Sequence, residues 1–147
     1  LCARLPLPAA AVLDRYPDAG PLAGLEAGLA AAAHELVFAV ATDMPFVNPA
    51  LASHLLDLSE GYDAVVPLTP HGDTLEPEPL HAVYRRTCLP AIRAQLDAGR
   101  RRVVSFFDDI QVRYVTPEEM LPFDPALRSF VNVNTPEEWR ELGMCNE

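Results

Sequence analysis

The sequence predicts a three-layer α/β domain built on a mostly parallel sheet. Short apolar runs alternate along the chain with helical patterns. The runs are continuous rather than strictly alternating, as in strands covered on both faces. Capping signals open several of the helices between them.

The first expected strand is Ala9 to Leu13, and the second is Leu36 to Ala41 (LVFAVA). Asp63 to Leu68 and His81 to Tyr84 follow. Gln111 to Val115 alternates like a half-exposed edge strand, and Phe130 to Val133 closes the series. Among the helices, Leu22 to Ala33 is rich in Ala and Leu. Asn48-Pro49 supplies a cap and a first-turn proline for a helix presenting Leu51, Leu55 and Leu58. Arg86 to Ala98 places Leu89, Ile92 and Leu96 on one side, and Gly99 stops it. The quartet Thr-Pro-Glu-Glu occurs at Thr116–Glu119 and again at Thr135–Glu138, each reading as a capping box. Trp139 and Leu142 read as the buried face of the last helix.

A chain of 147 residues is about one domain, and no linker or repeat divides it. The net charge of −10 argues against binding DNA, RNA or anionic membranes, which reward basic surfaces. A single nucleotide is still compatible with it, given one metal ion and a local arginine cluster. All eleven basic residues are Arg, six of them between Arg85 and Arg102. Cys2, Cys88 and Cys145 lack metal or redox spacing, so three reduced thiols in a cytoplasmic protein are expected. No apolar run reaches the ~18 residues of a membrane helix.

Four segments could carry chemistry. Asp43, in Ala41-Thr-Asp-Met-Pro-Phe46, follows a buried strand, where α/β sheets bind ligands. Its carboxylate suits Mg²⁺, whose shell phosphate and water complete; equally, it could cap a turn. Gly20-Pro-Leu-Ala-Gly24, with Gly28 beyond, allows close approach of a backbone or a ligand, and tight helix–sheet packing is the preferred reading of those glycines. Arg100-Arg-Arg102 could clamp a phosphate, although a solvated helix terminus is the commoner use of such a run. Asn132 and Asn134 alternate with valines and so share one face, to bind a ligand's polar edge or to tie down loops. His34, His54, His71 and His81 show no metal-ligand spacing.

Taken in order, Asp14, Gly20–Gly24, Asp43–Phe46, Pro79–Tyr84, Gly99–Val103 and Phe130–Pro136 resemble the MobA-type molybdenum cofactor guanylyltransferases, from about Val12 to Leu142. The resemblance implies a Rossmann-like α/β/α nucleotidyltransferase fold, with residues 1–147 as one partial domain. It implies transfer of GMP from GTP to Mo-molybdopterin with release of pyrophosphate, and transient contact with cofactor-biosynthesis or acceptor proteins. By position Asp43 matches the aspartate that binds Mg²⁺ and GTP. Asp14, Gly20 and Gly24 match residues on the GTP side. Arg102, Asn132 and Asn134 match the molybdopterin side, with Arg102 also serving catalysis. Family members begin with a strand and a glycine-rich loop followed by a lysine. This sequence has neither, so the resemblance implies an N-terminally truncated domain with an unpaired strand edge. A CTP-using relative and a non-catalytic nucleotide-binding remnant are the alternatives.

Overall fold

The computed structural model describes residues 9–141. Its elements run α1 (Pro21–Ala31), β1 (Leu36–Val40), α2 (Pro49–Asp57), β2 (Ala64–His71), β3 (Thr74–Pro77), β4 (His81–Arg85), α3 (Leu89–Asp97), β5 (Val112–Val115), α4 (Pro117–Met120) and α5 (Pro136–Glu141). Short 3₁₀ turns occupy Arg86–Cys88, Val103–Asp109 and Arg128–Phe130.

The helix starts follow from local chemistry. The Asn48 side chain accepts hydrogen bonds from the backbone N–H groups of Ala50 and Leu51, at 2.9 and 3.3 Å. Both Thr-Pro-Glu-Glu quartets form capping boxes. At the first, the Thr116 N–H donates to Glu119 Oε2 at 3.0 Å. At the second, Thr135 N–H donates to Glu138 Oε2 and Glu138 N–H donates to Thr135 Oγ1. Gly99, at φ 76°, ends α3, and Arg100 N–H returns to the Gln95 carbonyl.

The sheet is mixed, which corrects the expected mostly parallel one. β1 pairs β4 antiparallel, β4 pairs β2 antiparallel, β2 pairs β3 antiparallel, and only β5 on β2 is parallel. β1, β2 and β5 do share one direction; β4 runs between β1 and β2 in reverse. Continuous apolar runs report burial on two faces, not strand direction, so the sequence could not show this reversal. The β2–β3 hairpin was not expected either. Gly72-Asp73 turns it, with Gly72 at φ 60°, but flanking Pro70 and Pro77 hide the strand pattern.

Alternation along the central strands builds two cores. Ala64, Val66, Ala82 and Tyr84 face α1, α3 and the Phe106–Phe107 turn. Val65 and Val83 face the opposite way, onto Leu51 and Leu55 of α2 and Met120 of α4. This gives the expected three layers. Cys88 belongs to the first core, where burial, then the Asp63 charge, pushes its thiol up to about 12. It is therefore an inert apolar side chain. Cys2, Cys145 and Leu142 lie outside the described residues, and Trp139 is half-buried.

Two expected strands are absent among the described residues. Residues 9–13 are irregular and exposed, with Leu13 90% exposed, because no neighbouring strand pairs with them. Phe130–Val133 is the end of a 3₁₀ turn followed by an extended stretch outside any ladder.

Candidate functional site

β1 ends beside Leu80, whose carbonyl accepts the Ala41 N–H at 2.8 Å. The chain then turns, with Met44 buried as its anchor and Met44 N–H returning to Ala41 at 3.2 Å. This turn holds Asp43 half-buried at the carboxyl end of β1. The Asp43 carbonyl accepts the Val133 N–H at 2.8 Å, which ties the turn to the stretch bearing both asparagines.

Further ties lock the same two stretches together. Asn48 Nδ2 donates to the Phe123 carbonyl at 2.8 Å. The Arg128 guanidinium lies 4.4 Å over the Phe46 ring. Asp124 is buried and accepts the N–H groups of Arg128 and Ser129, at 3.1 and 2.8 Å. Those bonds hold its carboxyl below the usual range despite burial. The fully buried His81 ring sits between Phe38 of β1, at 5.0 Å, and Phe130, at 4.8 Å. Neither of its ring nitrogens has a hydrogen-bond partner among the described residues. Burial drives its pKa down to about 4, with the Asp124 charge opposing.

An open groove of about 830 Å³ runs between α1 and β1, with Pro21, Gly24, Gly28, Ala39, Asp43 and Asn134 on its walls. Pro21, the first residue of α1, lines the same groove as Asp43. The first turn of that helix carries no acidic residue and no side-chain cap, so the helix dipole presents unneutralised positive charge there. Tyr16 OH donates to Asp97 Oδ1 at 3.0 Å, joining the stretch before Gly20 to the end of α3. The arginine run leaves α3 at that end.

The expected site residues thus divide. Gly24, Asp43 and Asn134 share the groove. Gly20, at φ 69°, makes the turn into α1. Asn132 does not share Asn134's cavity; it lines a second one, of about 550 Å³, with Phe130 and the β2–β3 hairpin. The valines do not share a face either, since Val133 is buried and Val131 exposed, because this stretch is not a strand. Arg102 precedes the Val103–Asp109 turn and, like Asp14, is exposed and off the groove walls. The preferred packing role for Gly24 and Gly28 also fails, as a Cβ at either would meet nothing within 4 Å among the described residues.

Sequence reasoning passed over Glu78. It lies two residues before Leu80, on the wall of the second cavity. Burial raises its carboxyl above the usual range, the Leu80 backbone opposes, and the Asp43 charge raises it further. A carboxylate directly ahead of the Pro79–Tyr84 motif was the available signal. Among the described residues no group of three His, Cys, Asp or Glu side chains converges on a metal position. Asp43 forms no salt bridge among them, leaving its oxygens free. One free hard-oxygen ligand beside an open cavity fits a cation that completes its shell with phosphate and water.

A family model, curated relatives and a solved structure point to one family. The MobA-like NTP transferase domain matches residues 2–112. A probable molybdenum cofactor guanylyltransferase of Methanosarcina mazei is 39% identical over 144 residues, covering 89% of this chain and 63% of that protein. One from Pelotomaculum thermopropionicum is 40% identical over 127 residues, covering 86% of this chain and 60% of that protein. The crystal structure of molybdopterin-guanine dinucleotide biosynthesis protein A from Archaeoglobus fulgidus superposes with a TM-score of 0.69 at 31% identity, covering 83% of this chain and 60% of that one. This chain therefore spans about three fifths of the length of the relatives it matches. With a family domain over residues 2–112 and relatives near 40% identity, the chain belongs to the MobA-like NTP transferase family.

Proposed function

We propose that residues 1–147 form one nucleotidyltransferase domain acting as a cytoplasmic molybdenum cofactor guanylyltransferase. GMP passes from GTP to Mo-molybdopterin, and pyrophosphate leaves. The observation that carries this reading is the groove whose rim joins Asp43, Asn134 and the uncapped start of α1. Among the described residues no helix is long and apolar enough to cross a membrane.

Asp43 would hold Mg²⁺, which neutralises phosphate charge and aligns phosphate oxygens when bound. The first-turn N–H groups of α1 offer donors to the same phosphates. Gly24 and Gly28 keep the helix face clear for the nucleotide. Asn134 supplies an amide at the groove rim and Asn132 one at the second cavity, where the acceptor lies. Arg102, between the end of α3 and the Val103–Asp109 turn, would offset charge on the acceptor phosphate or the departing pyrophosphate. Gly20 sets the entry angle of α1, and Asp14 serves the nucleotide side. The acceptor phosphate attacks the α-phosphorus in line, so no protein nucleophile is needed. Catalysis is positioning and charge stabilisation.

The half-buried edge of β1 favours a second reading, nucleotide binding without turnover by this chain alone. Calorimetric titration with MgGTP and MgCTP, and pyrophosphate release on adding molybdopterin, tests both. MgGTP binding that MgCTP does not reproduce, and that Asp43→Ala weakens at least tenfold, is the expected result. Release of pyrophosphate then decides between enzyme and binding remnant. Tighter binding of MgCTP moves the chain to a cytidylyltransferase, and binding of neither removes the reading for this chain.

A further inference from the structure

The second cavity has a chemistry different from the groove. It lies between the β2–β3 hairpin and the stretch from Leu127 to Asn132. Pro70 and Pro77 give it flat apolar surface on the hairpin, and Phe130 gives it an aromatic wall. That wall is backed by the buried His81 ring at 4.8 Å, itself held by Phe38, so it is packed rather than loose. The polar groups that line it are the Glu76 and Glu78 carboxylates, the Asn132 amide, the Thr69 hydroxyl and the exposed His71 ring. Among the described residues no arginine lines it.

Such a lining selects against anions. It suits a flat, uncharged heterocycle that presents N–H donors along one edge. Proline and aromatic surfaces take the faces of such a ring, and a carboxylate accepts two parallel donors with charge-assisted strength. The cavity adjoins the groove. Leu80 lines the groove and bonds the end of β1, while Glu78, two residues earlier, lines the cavity. The Val131–Asn134 stretch likewise reaches from cavity to groove, with Asn132 on one and Asn134 on the other.

We propose that this cavity seats the pterin ring of the acceptor, with the Glu78 carboxylate reading its paired amino and ring N–H donors and Phe130 forming its wall. The acceptor's phosphate end then lies at the Asp43 rim, where the cavity meets the groove. Glu78 is a specificity-determining residue for the acceptor, and Glu76, more exposed on β3, is a peripheral acceptor. The assignment rests on the guanylyltransferase reading only for the identity of the ring; the cavity and its chemistry are independent of the nucleotide.

The test titrates the full chain, without nucleotide, with pterin and with lumazine, in which a carbonyl replaces the exocyclic amino group. Binding is followed by the fluorescence of the ring. Pterin should bind at least tenfold tighter than lumazine, the loss expected when a half-buried carboxylate loses its donor. Glu78→Gln should abolish that preference. Phe130→Ala should weaken both ligands equally and leave their ratio intact. No pterin binding at millimolar concentration overturns the assignment, as does a preference that survives Glu78→Gln. A preference abolished by Glu76→Gln and not by Glu78→Gln overturns the role of Glu78. Pterin binding as described with no MgGTP binding retains the cavity and defeats the guanylyltransferase reading. MgGTP binding with no pterin binding does the reverse.

Discussion

β1 and β4 are partners in one ladder, from Leu36 opposite Arg85 to Val40 opposite His81, yet they are buried to very different degrees. In β4, His81 through Tyr84 are all buried. In β1, every residue of Leu-Val-Phe-Ala-Val is half-buried or exposed, although its composition is more apolar. The difference lies in neighbours. β4 has strands on both sides and helices on both faces. Among the described residues β1 has β4 on one side and the open groove on the other. Burial is thus a property of surroundings, not of apolar sequence alone. The exposed edge is also where Asp43 emerges.

The largest break in this comparison comes from β4. Tyr84 is fully buried between the Phe106–Phe107 turn and α1, and its hydroxyl donates to the Pro79 carbonyl at 2.7 Å. Tyr84→Ala should cost about 3–5 kcal/mol in chemical denaturation, as large aromatic truncations in a packed core do. Val37→Ala on β1 should cost well under half of that, because the side chain is already partly solvated. Equal losses would mean that the β1 edge is covered in solution.

His81 gives the next effect. Its folded pKa of about 4 lies below the unfolded value of 6.5, so the folded state favours the neutral ring. Above pH 6.5 neither state binds the proton and stability is unaffected. As pH falls from 6.5 towards 4 the unfolded chain takes up the proton first, and about 3 kcal/mol of stability drains away. Asp124, the charged group facing it, limits the loss by favouring the protonated ring. Glu78 works in the opposite sense, since a raised carboxyl gains stability as pH falls through it. Denaturation midpoints across this range should show the slope in the wild type and lose it in His81→Leu. A slope that persists in the variant would place its origin elsewhere.

The helices and central strands were legible because their signals are local. Asn48-Pro49, the two Thr-Pro-Glu-Glu quartets and Gly99 act within a turn of the chain, and each does what its chemistry dictates. Asp43 was legible because it follows an apolar run directly. What failed depended on distant partners. Residues 9–13 look like a strand, but pairing makes a strand, and no partner lies beside them among the described residues. Asn132 and Asn134 look like one face, but the Val133 bond to Asp43 pins the stretch so that they serve different cavities. His81 and Glu78 offered no spacing pattern at all. Their environments come from Phe38, Phe130 and Asp43, between 35 and 49 positions away.

Loss of the Asn48 cap should be smaller than the pH effect. Asn48→Ala removes two N-terminal bonds of α2 and the bridge to the Phe123 carbonyl, for about 1–2 kcal/mol by thermal or chemical denaturation. Asn48→Asp keeps the cap and loses only the bridge. If the two variants are equally destabilised, the bridge holding the Asp43 turn to the Phe123 stretch contributes more than the cap does.

The smallest effect is the most informative about the open edge. Gly24 and Gly28 sit inside α1, where glycine costs about 1 kcal/mol against alanine. A Cβ at either position would meet nothing within 4 Å, so helix packing among the described residues does not explain them. Gly24→Ala should therefore stabilise this chain by up to about 1 kcal/mol. On β4 or β2, any added methyl would be paid for in strain. If the glycine keeps the groove clear for a nucleotide, the same substitution should weaken MgGTP binding while raising the denaturation midpoint. Opposite signs in the two measurements would identify α1 as a functional wall. A stabilised chain with unchanged nucleotide affinity would instead leave the Gly24 face without a part in the site, and the reading of the groove would rest on Asp43 and Asn134 alone.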